Sequence, residues 1–145
     1  MNSGAISARY GKALLMFAQE SGHGDRIYSQ ACVLMLRMME VRQFREVMEN
    51  CCEVPLSKKK ALLDAALGEE LVPELHDFLR LVASRKRMEY FVRMLYSFIR
   101  QYRQVNGIKI GRLVTAVPSE GLRERLEDIF QQKTGAKVHI EEKVD

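Results

Sequence analysis

The chain has 145 residues, the length of one ordinary domain or two small ones, and enough to close a hydrophobic core without metal or disulfide staples. With 47% apolar and 29% charged residues but few Gly and Pro, its composition is that of an ordered, helix-rich protein and excludes a disordered chain. The net charge of +4 sits wholly in the first part: residues 1–106 carry 16 Lys and Arg against 12 Asp and Glu, and residues 107–145 carry 7 against 7, a surplus too sparse for a dedicated nucleic-acid stripe.

Start and stop signals divide the first 106 residues into six helices. The first is expected over Ala5–Glu20, ending before Gly22-His23-Gly24, and Asp25 offers an N-cap for a second that runs to about Val41. A short apolar segment, Phe44–Asn50, follows. Pro55 closes it, Ser57 can cap a helix through Leu67, and Gly68 is a natural C-terminal stop. Pro73 suits the first turn of a helix to Ser84, and a long helix is expected over Met88–Val105, before Asn106-Gly107. Short connections between helices of this length read as a six-helix bundle over residues 1–106.

After Gly107 the periodicity changes. Ile108–Val117 is rich in β-branched residues and stops at Pro118-Ser119, where Ser119 can cap a helix to Lys133. Gly135 ends that helix, and Lys137–Val144 alternates apolar with polar. The fold class is therefore mainly α, with residues 107–145 forming a small α/β module of strand, helix and strand. Two strands and one helix bury little apolar area, so this module is expected to be marginal alone or incomplete.

No apolar run approaches the roughly 20 residues that span a bilayer, and Met1–Ile6 lacks the basic flank and apolar block of a secretory signal. A membrane link is expected to be indirect. Cys32, Cys51 and Cys52 cannot all pair, which fits buried thiols in a reducing compartment.

Catalytic constellations are not visible. His23, His76 and His139 fall in a loop, a helix and a strand without carboxylates or cysteines at ligand spacing, so no metal and no cofactor is expected. There is no phosphate loop, no G-x-S-x-G and no H-E-x-x-H, and the pairs Glu69-Glu70 and Glu141-Glu142 read as solvated. Two basic runs stand out, Lys58-Lys59-Lys60 opening a helix and Arg85-Lys86-Arg87 closing one. Only the first lacks a local structural reason, because cations are unfavourable at a helix N-terminus and favourable at a C-terminus. Neither is interleaved with aromatics as a base-stacking surface is. These features imply a binding protein.

The first helix is apolar over too wide an arc. At about 100° per residue, Ile6, Tyr10, Ala13, Leu14 and Phe17 form one stripe and Ala8, Gly11, Leu15 and Ala18 a second beside it, leaving Arg9, Lys12, Gln19 and Glu20 as a narrow polar strip. A one-sided surface helix needs only about 100° of apolar arc. Leu75, Phe78, Leu79, Leu81, Val82 and Ala83 show the same excess. Either both helices are central in the bundle, or their spare stripes form a trough for a partner's amphipathic helix, with Ala8, Gly11, Ala13 and Ala18 admitting a close neighbour.

The run Ala8-Arg9-Tyr10-Gly11-Lys12-Ala13-Leu14 resembles the opening helix of the ATP synthase delta subunit family, known in mitochondria as the oligomycin-sensitivity-conferring protein. Further likenesses follow in family order: Pro55 with Lys59, Lys60 and Leu62; Phe78-Leu79-Arg80-Leu81 followed by Arg87-Met88-Glu89; Val114-Thr115-Ala116-Val117-Pro118; and Lys133-Thr134-Gly135 with Val138 and Lys143-Val144-Asp145. Two departures are Gly11, where the family usually has alanine, and the end at Asp145, where members normally continue. The resemblance implies a non-catalytic stator subunit of a bacterial rotary ATP synthase, held peripherally at the cytoplasmic face of the inner membrane. It implies a helical domain gripping the N-terminal helix of an alpha subunit between helices one and five, and a C-terminal domain meeting the b subunits. Carried over by position, the groove would involve Tyr10, Ala13, Leu14, Phe17, Phe78, Leu81 and Val82. The rival reading, an all-helical RNA-binding factor of the antitermination kind, rests on the basic excess of residues 1–106.

Overall fold

Helix α1 spans Ser3–Ser21, beginning two residues earlier than periodicity suggests because the Asn2 side chain accepts a hydrogen bond from the Ala5 N–H at 2.8 Å. Gly22, at φ 79°, ends it in the left-handed conformation that a residue with a Cβ resists. The coordinates are a computed structural model that describes residues 2–51, 53–115, 121–134 and 137–144.

Helix α2 runs over Gly24–Glu40 with His23 as its N-cap, so Asp25 lies inside the first turn, where its charge complements the helix dipole, instead of capping it. Arg42–Glu49 forms α3. Helix α4 covers Leu56–Leu67. It starts ahead of the expected Ser57 cap because the Pro55 carbonyl already accepts the Lys58 and Lys59 N–H groups. Helix α5 is Pro73–Ser84, with proline at the start where its missing N–H costs nothing. The expected long helix from Met88 opens instead as a 3₁₀ turn, Met88–Tyr90, and continues as α6, Phe91–Val105.

Strand β1, Ile108–Thr115, helix α7, Leu122–Thr134, and strand β2, Lys137–Val144, complete the chain. The strands pair in parallel from Ile108 opposite Lys137 to Thr115 opposite Val144, with α7 as the connection a parallel pair requires. The expected cap at Ser119, the strand end at Val117 and the stop at Gly135 lie outside the described residues. The protein is thus mainly helical with a small two-stranded parallel sheet.

The chain divides into two compact units, residues 1–101 and 102–145. In the first, α1 packs on α2 and α5, α2 on α3 and α4, and α4 on α5. Leu14, Ile27, Leu34, Leu63, Phe78 and Phe98 are among its fully buried side chains. Its interior polar groups have partners, as burial demands. Gln30 donates to Glu69 Oε1 at 2.9 Å and to the Glu70 carbonyl at 3.1 Å, and accepts from the Val72 N–H at 2.9 Å, tying α2 to the α4–α5 connection. Asp64 accepts from the Leu71 N–H and from Lys60 Nζ. Burial alone would raise the Asp64 carboxyl, but the Lys60 ammonium and the Leu71 N–H outweigh it and hold it below the usual carboxylate range. In the second unit, Ile140 is buried, its N–H is held by Glu127 of α7 at 3.0 Å, and Arg103 lies 3.9 Å from Glu141.

Cys51 is exposed and Cys32 half-buried, which corrects the expectation of buried thiols for both. Cys51 sits in the polar connection after α3, where no helix face draws it inward. Cys52 lies outside the described residues.

Candidate docking site between α1 and α5

Most of each α1 stripe turns inward, while Ala8 and Phe17 are exposed and Ala13 is half-buried. Ile6, Tyr10 and Leu14 are buried on one side and Ser7, Gly11, Leu15 and Ala18 on the other. The close neighbour that Gly11 admits is therefore α6 of the same chain: a Cβ on Gly11 would lie 2.8 Å from the Phe98 backbone nitrogen and 2.9 Å from Ser97 Oγ. Gln101 reinforces this crossing by donating to the Ala8 carbonyl at 3.1 Å.

Of the residues assigned to the groove, Leu14, Phe78 and Val82 are 0% exposed and belong to the core, leaving no face for a partner to cover. Tyr10 is nearly buried, and its hydroxyl accepts from Arg87 Nη1 at 3.1 Å while the guanidinium lies 5.5 Å from the ring centroid. Ala13 and Leu81 are half-buried, and Phe17 is 36% exposed. The structure does bring α1 and α5 side by side, and an open depression of about 290 Å³ lies at their contact. Arg9, Tyr10, Ala13, Leu81, Arg85 and Arg87 line it. Phe17 stands one helical turn beyond Ala13 on α1. The three arginines were not assigned to the groove from sequence, because Arg87 reaches Tyr10 across 77 residues.

Other candidates acquire structural explanations. Lys59 is buried and its Nζ donates to the Asn50 carbonyl, and Lys60 lies 2.7 Å from Asp64 and 3.5 Å from Glu70. Two of the three cations in that run thus serve the fold. His23 Nε2 sits 2.7 Å from both Glu74 carboxylate oxygens, joining the starts of α2 and α5, and His76 Nδ1 is 3.4 Å from Arg80. Among the described residues, no group of three or more His, Cys, Asp and Glu is placed to hold a metal, and no helix is long and apolar enough to cross a membrane.

The fold and the seam define a mainly helical protein with a part-apolar depression between two of its helices. Residues 6–145 match the family model for the ATP synthase delta (OSCP) subunit. The ATP synthase subunit delta of Phocaeicola vulgatus is 32% identical, over all of this chain and 79% of that protein. That of Bacteroides fragilis is likewise 32% identical over the same shares, and that of a Synechococcus strain 29% identical over 97% of this chain and 78% of its own. The chain belongs to the ATP synthase delta (OSCP) subunit family. It is a non-catalytic subunit of the peripheral stalk.

Proposed function

We propose that the six helices of residues 1–106 act as one bundle that grips the N-terminal helix of an alpha subunit, while residues 107–145 meet the b subunits of the stalk. The linkage resists torque between the catalytic head and the membrane sector, and places the protein at the cytoplasmic face of the inner membrane without entering it. The observation that carries this reading is the α1–α5 seam, where Ala13, Leu81 and the edge of Tyr10 line a depression and Phe17 is exposed one turn along.

The contact set is accordingly Tyr10, Ala13, Phe17 and Leu81, with Leu14, Phe78 and Val82 supporting it from beneath. Affinity comes from apolar area buried at about 25 cal/mol per Å², less the cost of association. Calorimetric titration of the intact chain with a peptide of the alpha-subunit N-terminal helix is expected to show binding. Ala13→Asp places a hydrated carboxylate on the apolar floor and within reach of Arg9 one turn away, and should weaken that binding by at least about tenfold. Absence of heat with the wild-type chain, or the same affinity for the variant, defeats the assignment.

A further inference from the structure

The seam is bordered by three arginines, Arg9, Arg85 and Arg87. Elsewhere on the helical unit Arg37, Arg42 and Arg45 each have a carboxylate within 3.1 Å. Arg93 and Arg100 have none within 4.0 Å among the described residues, but in this seam three arginines line one depression. Among the described residues, no carboxylate lies within 4.0 Å of Arg9, Arg85 or Arg87. Arg87 is held on Tyr10 by its hydrogen bond and its approach to the ring. Arg9, on α1, and Arg85, at the end of α5, are exposed and line the same depression.

We infer that the helix docking in this seam presents carboxylates to Arg9 and Arg85, so that the occupant is an acidic amphipathic helix. The inference rests on the proposed reading of the seam as the site of the alpha-subunit helix and adds what selects and orients that helix. An apolar trough alone tolerates sliding and reversal of a bound helix. Cations at the seam's border break that degeneracy, because only some registers and one direction bring a carboxylate to them. Guanidinium groups suit the task, since each offers a planar fork of donors to a carboxylate. Rim charges of this kind act mainly on association rate and salt dependence, while the apolar floor sets the dissociation rate.

The test uses the intact chain and the alpha-subunit N-terminal peptide of the same synthase, with affinity measured at low and high salt. Arg9→Gln and Arg85→Gln are each expected to weaken binding about threefold and to flatten its salt dependence. The double variant Arg9→Glu/Arg85→Glu should lose about tenfold or more, and recover when the peptide's acidic residues are replaced by lysine. Melting curves of the glutamine variants matching the wild type show that the fold is intact. If the wild-type chain does not bind the peptide, the docking reading falls and the inference with it. If it binds while the arginine variants keep its affinity and salt slope, the inference alone falls. Displacement of the peptide by a short single-stranded RNA, with loss of RNA binding in the same variants, would assign the arginines to phosphate and overturn the inference.

Discussion

Helices α1 and α5 pack side by side and carry comparable apolar arcs, yet they end with different surfaces. In α5, Leu75, Phe78, Leu79 and Val82 are all buried and Leu81 alone among the large aliphatic side chains keeps partial exposure. In α1 most of each stripe is buried, and Ala8, Met16 and Phe17 still remain at the surface. An over-wide arc therefore reports how many neighbours a helix has. It identifies a docking face only where apolar residues are left over once those neighbours are in place, and α1 has more left over than α5.

Truncating one phenylalanine on each helix gives the largest contrast. Phe78 is 0% exposed and its ring centroid lies 6.3 Å from that of Phe91, so Phe78→Ala should cost about 3–5 kcal/mol in urea unfolding. Phe17→Ala, 36% exposed on α1, should cost only about 1 kcal/mol, partly offset by alanine's helix propensity, while weakening the alpha-subunit peptide. A loss of several kcal/mol for Phe17→Ala would show that it is core like Phe78, and the distinction between the helices would collapse.

The extent of the helices was largely legible in the sequence, because punctuation is local. Gly68 and Pro73 bound α4 and α5 by backbone chemistry that acts within a few residues. The 3₁₀ turn at Met88–Tyr90 was not, since its residues also suit a continuous helix. For the site, the width of the α1 arc was legible but the allocation of its stripes was not. That allocation depends on partners far along the chain, such as Gln101 on Ala8 and Arg87 on Tyr10, 93 and 77 residues away. Tyr10 could be recognised as amphipathic, but not as already holding Arg87. The role of Lys59 was hidden for the same reason: its carbonyl partner at Asn50 belongs to a connection that periodicity does not shape.

Gly11 sharpens the comparison from the closed side of α1. In a helix interior alanine is favoured over glycine by about 1 kcal/mol, so propensity alone says that Gly11→Ala stabilises. The structure says the reverse: the added methyl would meet the Phe98 backbone nitrogen at 2.8 Å, and backbone cannot rotate aside as a side-chain end can. Overpacking of this kind costs about 1–3 kcal/mol, so a net loss of roughly 1 kcal/mol is expected in thermal or urea unfolding. A gain would mean that α6 can retreat by a few tenths of an ångström and that the α1–α6 crossing is looser than it stands.

The smallest expected effect lies at the end of α5. Lys86 is held at φ 56°, the one non-glycine residue in left-handed conformation among the described residues. Its N–H bonds to the Ala83 carbonyl at 3.0 Å and the next, Arg87 N–H, to the Val82 carbonyl at 3.1 Å, the paired closure of a helix that normally selects glycine at this place. A side chain resists that conformation because its Cβ crowds the following carbonyl. Lys86→Gly should therefore stabilise the helical unit by about 0.5–1 kcal/mol, less whatever entropy glycine returns to the unfolded chain. The lysine does not line the depression, so peptide affinity should be unchanged. Stability raised with affinity intact would place the local cost of the turn in the backbone and leave the neighbouring arginines as the functional groups. Affinity lost with the lysine would move the charged border of the seam onto Lys86, and α5 would then contribute to docking through its terminal turn as much as through Leu81.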